Sequence, residues 1–332
     1  MATTRMITTS LRPYSSSVQR TIATKDLQII KNPGEEYIAE YGLSASKLVG
    51  DLRLSHLDVL KSNTCPSCYH LYFLCIKDTT EVLSASQIIN YKSLDGNKSN
   101  DFQSWSLSWN PLNYKHILPH FIENICDDLN SFNMNSGGCA DPRIASYWRK
   151  TIHTKVRGPT YFTATYDMKE IQHPDLEFNG ITVKKLCETG SKDMVKYDQS
   201  IFPYERSKYI AAKFEKGIGR VAYDKDGKTI GIGLVSTHQD GKCEIGPLYC
   251  DNKLVAQAIF QDILEEMKSK QLKTIEIRCS DQFEDSSTWI RPFLRVRHQM
   301  TLHSHMEFNR IIPNGLNLSK VYVNSNPANA PC

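Results

Sequence analysis

The residues from Leu248 to Ala256 could bind an anion, because they run from a predicted strand into the first turn of a predicted helix. The first amide groups of a helix have no partner within the helix, and the positive end of the helix dipole adds to their attraction for phosphate. Lys253 can contact a phosphate, and Asn252 can adopt the left-handed backbone conformation. Asp251 brings a negative charge to the same place, so the alternative is that Asp251 only caps the helix.

Two other patterns contain residue types that bind metals or carry redox chemistry. Cys65 and Cys68 are the only close cysteine pair, but they precede the strand-like run YHLYFLCIK, and no two further ligands follow at comparable spacing. We interpret them as reduced thiols in a turn. His303 and His305 lie two residues apart on a predicted strand with no third ligand nearby, so a plain solvated face is favoured over a metal site.

Length and composition place these motifs in a globular protein of two domains. The chain has 332 residues, of which 40% are hydrophobic and 23% are charged. No apolar run approaches the ~18 residues that a membrane helix needs. The ten cysteines are irregularly spaced, which predicts free thiols in an intracellular protein.

The excess of basic residues is confined to the N-terminus. Four basic residues precede the first acidic residue, Asp26, and the rest of the chain has 36 basic and 36 acidic residues. Nucleic-acid-binding proteins usually present a basic stripe, so this distribution argues against that class. Residues 1–25 have the composition of a mitochondrial transit peptide, and the alternative interpretation is a disordered polar tail.

The periodicity from Asn179 to Arg310 predicts an ordered series of elements. The series is a strand over NGITVKKLCET, two helices, three antiparallel strands, a long helix, a strand, a helical stretch around STWIRPFLRV and a final strand. Asp226-Gly227 predicts a hairpin between two of the strands, because this dipeptide favours type I′ turns. The apolar spacing after Asp251 predicts that the long helix is amphipathic.

This order, with the segments IFPYERSKYI, GRVAYDKDGKTIGIG and EIGPLYCDNKLVAQAIFQDIL, resembles the YitH-like branch of the GNAT (Gcn5-related N-acetyltransferase) superfamily. The resemblance implies an α/β fold with a mixed, mostly antiparallel central sheet flanked by helices. It also implies that the fourth strand splays from the fifth. The pantetheine of acyl-CoA would pair like an extra strand in that gap, and the pyrophosphate would bind at the start of the long helix. The residues that the resemblance places against acyl-CoA are Leu248, Asp251, Asn252, Lys253, Leu254, Val255 and Ala256.

The catalytic groups that the resemblance implies lie on the strand before the long helix. Glu244 would take a proton from the incoming ammonium, the amide near Leu248 would polarise the thioester carbonyl, and Tyr249 would protonate the departing thiolate. Strand alternation leaves open that Glu244 is an ordinary outward-facing residue. The chain departs from the family in one respect, because the stretch from Tyr249 to Ala256 lacks the glycines that let the backbone approach a pyrophosphate.

The first half resembles a second, degenerate GNAT-like lobe, which would make the protein a tandem of two GNAT-like domains. HLYFLCIKD, TEVLSASQIINYKS, FQSWSLSWN and TYFTATYDM predict strands, and YKHILPHFIENICDDLNSF and IASYWRKTIH predict helices. The loop from Asn110 to Tyr114 has no glycine, and Pro111 and Pro119 remove amide donors. The predicted segments are a transit peptide or tail (1–25), a degenerate domain (26–170), an acetyltransferase-like domain (179–310) and a C-terminal tail (311–332).

We therefore predict an N-acyltransferase that moves an acetyl or other acyl group from acyl-CoA to a primary amine, with the cofactor site in the C-terminal lobe. Acetyl-CoA or another acyl-CoA is the co-substrate, and the acceptor is a small molecule or a peptide. The alternative is a degenerate GNAT-like scaffold that binds a ligand or a protein without turnover, since both lobes lack the glycine turn. The predicted location is the mitochondrial matrix if the transit peptide functions, and otherwise the cytoplasm. No metal, nucleic-acid or membrane partner is predicted.

Overall fold

The computed structural model describes most of the chain between Ile22 and Asn324. The described residues are 22–44, 48–50, 68–110, 114–140, 149–150, 154–215, 217–237, 241–268, 270, 272–280, 288–296, 300–310, 313 and 315–324. The first 21 residues of the predicted transit peptide, Cys65, the loop directly after Asn110 and most of the predicted helix IASYWRKTIH lie outside these ranges.

The first half contains seven described strands and two described α-helices. The strands are β1 (Leu27–Lys31), β2 (Val49–Gly50), β3 (Tyr69–Ile76), β4 (Val82–Tyr91), β5 (Phe102–Trp109), β6 (Asn135–Ala140) and β7 (Val156–Asp167). The helices are α1 (Glu35–Ser44) and α2 (Tyr114–Leu129). In α2, Ile117, Leu118, Phe121, Ile122 and Ile125 are buried, and their three- and four-residue spacing explains why this segment forms an amphipathic helix.

The second half repeats this pattern and adds helices before its long strands. Its described strands are β8 (Thr182–Lys185), β9 (Ile218–Tyr223), β10 (Thr229–Thr237), β11 (Lys242–Cys250), β12 (Thr274–Ser280), β13 (Thr301–Phe308) and β14 (Val321–Val323). Its helices are α3 (Leu186–Thr189), α4 (Ser191–Gln199), α5 (Ser207–Glu215) and α6 (Lys253–Met267). Within the described ranges, no helix is both long and apolar enough to cross a membrane.

All of these strands belong to one mixed sheet in the described part of the chain. Its strand order is β1-β3-β4-β5-β6-β13-β7-β12-β11-β10-β9-β8, with β2 added to β5 and β14 added to β11. The pairs β5/β6 and β11/β12 are parallel, and the other pairs are antiparallel. Parallel neighbours need a crossover connection, which α2 supplies in the first half and α6 in the second.

The two halves are joined by an exchange of strands at the centre of the sheet. β13 lies between β6 and β7, and β7 lies between β13 and β12. The last long strand of each half therefore pairs with the other half. Neither half completes its own part of the sheet alone.

Both faces of the sheet are covered by side chains. One cluster packs α2 against the first half, and another packs α6 against the second half. The opposite face carries a cluster from both halves, here called the shared core, to which Phe102, Tyr204, Tyr249 and Phe308 belong. The Phe102 ring lies 6.3 Å from the Tyr204 ring and 5.9 Å from the Phe308 ring, measured between centroids. Polar residues that alternate with the apolar ones along a strand can therefore be buried as well.

Helix α6 packs directly on glycines of β10, because a larger residue would not leave room for it. A Cβ atom at Gly231 would lie 2.6 Å from Cγ1 of Val255 and 3.0 Å from Cδ1 of Ile259. We expect Gly231→Ala to lower the free energy of unfolding by about 1–3 kcal/mol through overpacking, measured by urea denaturation. The double variant Gly231→Ala with Val255→Ala should lose less than the sum of the two single variants. A fully additive double variant would contradict this packing.

Several elements differ from the sequence prediction. The strand predicted over NGITVKKLCET ends at Lys185, and α3 follows it. The described residues of the helical stretch predicted around STWIRPFLRV, 288–296, contain a 3-10 turn, Arg291–Phe293, with Pro292 inside it, and no α-helix. Strands β1, β2, β6 and β14 were not predicted, because β1, β2 and β14 are short and β6 contains two adjacent glycines in NSGGCA.

Candidate functional site

Strands β11 and β12 are paired over a short length and then diverge. Their parallel register joins Lys242 through Glu244 to Thr274 through Glu276, and no later residue of β11 is paired with β12. β11 continues to Cys250 and β12 to Ser280. A gap therefore opens between the two strands, and the last paired position, Glu244 opposite Glu276, lies at its apex.

A bulge in β11 sets the direction of the side chains that follow the apex. Ile245 pairs with Val235 and Leu248 pairs with Gly233, so Gly246 and Pro247 together oppose one residue of β10. Gly246 has a φ of +132°, a conformation that residues with side chains rarely adopt. The extra residue changes the alternation. Glu244 and Tyr249, five positions apart, consequently lie on the same face of the sheet, the face of the shared core.

Glu244 is the most unusual group at the apex. The residue is only 5% exposed, and its Oε1 atom has no hydrogen-bond partner among the described residues. The neighbouring Glu276 is already engaged, because Nη2 of Arg278 donates to its Oε1 at 3.0 Å. A buried carboxylate oxygen without a donor is unfavourable unless a ligand or substrate completes it. The alternative interpretation of Glu244 as an outward-facing strand residue is wrong.

Tyr249 lies on the same face but deeper in the shared core. Its side chain is buried, and its ring centroid lies 5.3 Å from that of Phe202. Leu248, the neighbouring residue, faces the opposite cluster under α6. The side chain of Leu248 therefore points away from the shared core, and its backbone lies on the edge of β11 that pairs with β14.

The start of α6 is capped by the chain itself. Oδ1 of Asn252 accepts a hydrogen bond from the amide of Val255 at 3.1 Å, so Asn252 and not Asp251 is the N-cap. Asn252 has a φ of −157°, so it does not use the left-handed conformation that the sequence left open. The Asp251 carboxylate accepts a hydrogen bond from the Tyr197 hydroxyl at 2.7 Å and forms an ion pair with Lys320 at 2.7 Å.

The other residues predicted to contact acyl-CoA are distributed over both sides of the α6 surface. Leu254 is 57% exposed, and Lys253 is partly exposed. Val255 and Ala256 are completely buried against the sheet, and their backbone amides donate to Oδ1 and to the carbonyl oxygen of Asn252. The structure thus brings the predicted residues together at one helix end. The side chains of Lys253 and Leu254 reach solvent there, whereas those of Val255 and Ala256 pack against the sheet.

The gap between β11 and β12 is filled by residues 315–324, here called the C-terminal segment. Its strand, β14, runs antiparallel to β11, with Val323 opposite Leu248 and Val321 opposite Tyr249. On the other side, the amide of Asn324 donates to the carbonyl oxygen of Arg278 in β12 at 3.1 Å. The strand therefore bridges the two sides of the gap.

The remainder of the C-terminal segment is held by contacts to α4 and the loop after it. The amide of Asn317 donates to the carbonyl oxygen of Ile201 at 3.0 Å. Nζ of Lys320 lies 5.3 Å from the centroid of the Tyr197 ring, in addition to its ion pair with Asp251. The segment thus covers both the gap and the start of α6.

The first half contains an equivalent gap. β5 and β6 pair in parallel from Phe102 opposite Asn135 to Trp105 opposite Gly138, and β5 then continues to Trp109 without β6. β2 pairs with the last two residues of β5. Since β4 pairs with the other edge of the same residues, β2 lies on the edge that faces the gap. A segment of the chain therefore occupies the gap in each half.

His305 does not lie on a solvated face, so that part of the sequence prediction is wrong. The side chain is buried, and its Nδ1 lies 2.7 Å from Nη2 of Arg157 and 3.1 Å from Oγ1 of Thr160. The side chain of His303 lies outside the described part of the structure. Among the described residues, no group of three or more His, Cys, Asp or Glu side chains is placed to hold a metal ion.

Comparisons with known families agree with this architecture. The model of an acetyltransferase (GNAT) domain matches residues 194–285, and the model of a protein family of unknown function (DUF1248) matches residues 24–201, more than half of the chain. The chain belongs to the DUF1248 family and to the GNAT superfamily. The comparison with curated proteins gives no match.

Solved GNAT structures share the fold over nearly the whole chain. A putative acetyltransferase from Pyrococcus horikoshii superposes with a TM-score of 0.63 at 14% identity, covering 94% of this chain and 99% of the other. A tandem GNAT protein from the clavulanic acid biosynthesis pathway gives a TM-score of 0.59 at 9% identity, covering 85% and 97%. A GCN5-related N-acetyltransferase from Sphaerobacter thermophilus gives 0.53 at 11% identity, covering 84% and 94%. The predicted tandem GNAT fold with a mixed sheet is confirmed, and the YitH-like branch stays a prediction.

Three features of the candidate site were not predicted from the sequence. Glu276 and Arg278 alternate with apolar residues in TIEIRCS, a pattern that is typical of exposed strand positions. The run VYV in the tail is too short to predict a strand by alternation, although its β-branched and aromatic residues favour one. Asn252 was recognised as a residue near the helix start, but the N-cap was placed one residue too early.

Proposed function

We propose that this GNAT protein is an acyl-CoA-dependent N-acyltransferase whose site is the gap between β11 and β12 in the second half. The observation that carries the proposal is the buried Glu244 carboxylate, which has an unpartnered oxygen at the apex of that gap. A base in this position can accept the proton of an ammonium acceptor, which must become neutral before it can attack a carbonyl carbon. The acceptor is a primary amine on a small molecule or a peptide.

The residues around the gap fit an extended acyl-CoA once the C-terminal segment has left. The edge of β11 at Leu248 and Tyr249 pairs with an extended chain, and β14 demonstrates that a chain of peptide groups fits there. Lys253 adds a cation at the start of α6. Acyl-CoA would supply the activated acyl thioester, with its phosphates at the α6 amides and its pantetheine along β11.

The remaining chemistry is assigned to groups of the chain itself. Glu244 Oε1 takes the proton of the acceptor, and Arg278 keeps Glu276 engaged beside it. The Leu248 amide is the proposed donor to the oxygen that becomes negative during acyl transfer, and the Tyr249 hydroxyl is the proposed acid for the leaving thiolate. The first half, proposed as residues 26–170, shapes the acceptor side through the shared core.

Turnover can be measured with the full chain, acetyl-CoA and a panel of amines. We expect amine-dependent formation of free CoA and of the acetylated amine, both quantified by chromatography and mass spectrometry. Thiol reagents are unsuitable, because the chain has ten cysteines of its own. A folded sample that neither binds acetyl-CoA at millimolar concentration nor produces CoA above an amine-free control would contradict the proposal.

A second candidate function is a GNAT-shaped scaffold that binds a ligand or protein without turnover. The observation that favours it is the occupation of the gap in both halves by strands β2 and β14 of the chain itself. The scaffold hypothesis predicts that CoA does not bind even when β14 is removed. The acyltransferase predicts that removal exposes the site.

A further inference from the structure

We propose that the C-terminal segment, residues 315–324, is a releasable latch that competes with acyl-CoA for the gap between β11 and β12. This inference rests on the function proposed above and names the regulation of the same site. One edge of β11 can pair with only one partner, and that edge is paired with β14 at Leu248 and Tyr249. Binding of a pantetheine along β11 therefore requires that β14 leaves.

The position of β14 allows it to leave the sheet while all other strands stay paired. β14 stands outside the main strand order, so its departure breaks no pair between two other strands. By contrast, removal of β12 or β7 would divide the sheet between its two halves. The latch is thus an addition to a sheet that is already continuous.

The charged end of the latch covers the start of α6. Lys320 forms an ion pair with Asp251, and both side chains are about one quarter exposed, at 25% and 26%. Ion pairs that water reaches are weak, so this contact can be exchanged for another. An incoming phosphate would give Lys320 another anionic partner. If Lys320 left completely, the phosphate would instead lie near the Asp251 carboxylate with no positive charge between them.

The apolar end of the latch supplies its strength. Val321, Tyr322 and Val323 are each no more than 3% exposed. Val321 belongs to the shared core, and Tyr322 and Val323 belong to the cluster under α6. The latch is therefore closed in most molecules. The observed affinity for CoA is then the intrinsic affinity multiplied by the fraction of molecules in which the latch is open.

The test compares CoA binding by calorimetry to the full chain and to Val323→Ala, which loosens the latch and leaves Glu244 and every residue of α6 in place. We expect Val323→Ala to bind CoA about tenfold more tightly, because two fully buried methyl groups no longer hold β14 in place. Val296→Ala is the matched control, since Val296 is 48% exposed and lies outside the latch, and its affinity should be unchanged.

Two further measurements separate a latch from a general loosening of the fold. Hydrogen exchange on the full chain should show faster exchange at 321–324 when CoA is added, with β9 and β10 unchanged. A synthetic peptide with the sequence GLNLSKVYVN, residues 315–324, should compete with CoA for a chain truncated after residue 314.

The outcomes distinguish the latch from the proposed function. If the full chain and Val323→Ala bind CoA equally and β14 stays protected in the complex, the latch is wrong and the acyltransferase stands. If neither they nor the folded truncated chain binds CoA at millimolar concentration, both the latch and the acyltransferase are wrong.

Discussion

Replacing Glu244 with glutamine is expected to lower kcat for acyl transfer to a primary alkylamine by about 10²–10⁴-fold, while the affinity for CoA stays within about twofold of that of the parent. The substitution keeps the shape of the side chain and removes only its ability to accept the proton of the acceptor. The measurement is initial-rate formation of acetylated amine, with CoA affinity determined separately by calorimetry.

A change of acceptor makes this prediction specific for a base. An amine that is already neutral at neutral pH, such as an aromatic amine or hydroxylamine, needs no proton removed before attack. Glu244→Gln should therefore lose much less activity with such an acceptor than with an alkylamine. An equal loss with both acceptors would show that Glu244 has a structural role. Glu188→Gln is the control, because Glu188 is exposed on α3, and it should retain full activity.

The parts of the fold that the sequence predicted are those whose signals are local. The hairpin predicted at Asp226-Gly227 is present between β9 and β10, although only Gly227, with a φ of +78°, has the positive φ that a type I′ turn requires at both residues. The long helix after Asp251 was visible from the spacing of its apolar residues, and the structure places it at Lys253–Met267. Each of these signals lies within one element, so no knowledge of the partner elements was needed.

The parts that the sequence could not predict depend on distant pairing. The alternation in β11 correctly gives Glu244 the face opposite Cys243 and Ile245. It cannot reveal that this face is also buried, because the shared core is formed by both halves. The three-residue strand β14 likewise becomes a strand only because β11 offers an unpaired edge to it. The features of the candidate site that matter most for function are therefore non-local.

The buried ion pair between Asp198 and Arg206 is the other feature for which we expect a large effect, this time on stability. Nε of Arg206 lies 3.0 Å from Oδ2 of Asp198, and both side chains are almost completely buried. The guanidinium lies 4.6 Å from the centroid of the Phe202 ring, which in turn packs against Tyr249. The pair thus supports the wall of the candidate site from within the shared core.

Asp198→Ala is expected to lower the free energy of unfolding by about 3–5 kcal/mol, because it removes the acceptor that the buried guanidinium of Arg206 contacts and leaves a cavity beside it. Urea denaturation followed by tryptophan fluorescence measures this loss. The exposed residue Asp175 provides the control, and Asp175→Ala should change stability by less than about 0.5 kcal/mol. The double variant Asp198→Leu with Arg206→Met should recover most of the loss, since an apolar pair of similar volume has no charge to desolvate.

The same pair predicts a pH dependence of stability. Burial raises the pKa of Asp198 from 3.8 to about 6, although the charge of Arg206 opposes the rise. Because the folded state then holds its proton more tightly than the unfolded state, the contribution of Asp198 to stability is full below about pH 4 and is lost as the pH rises through about 6. The unfolding free energy of the parent chain should therefore fall relative to that of the double variant between these two pH values. A constant difference would mean that the pair is ionised throughout, and that the charge of Arg206 outweighs the burial of the carboxyl.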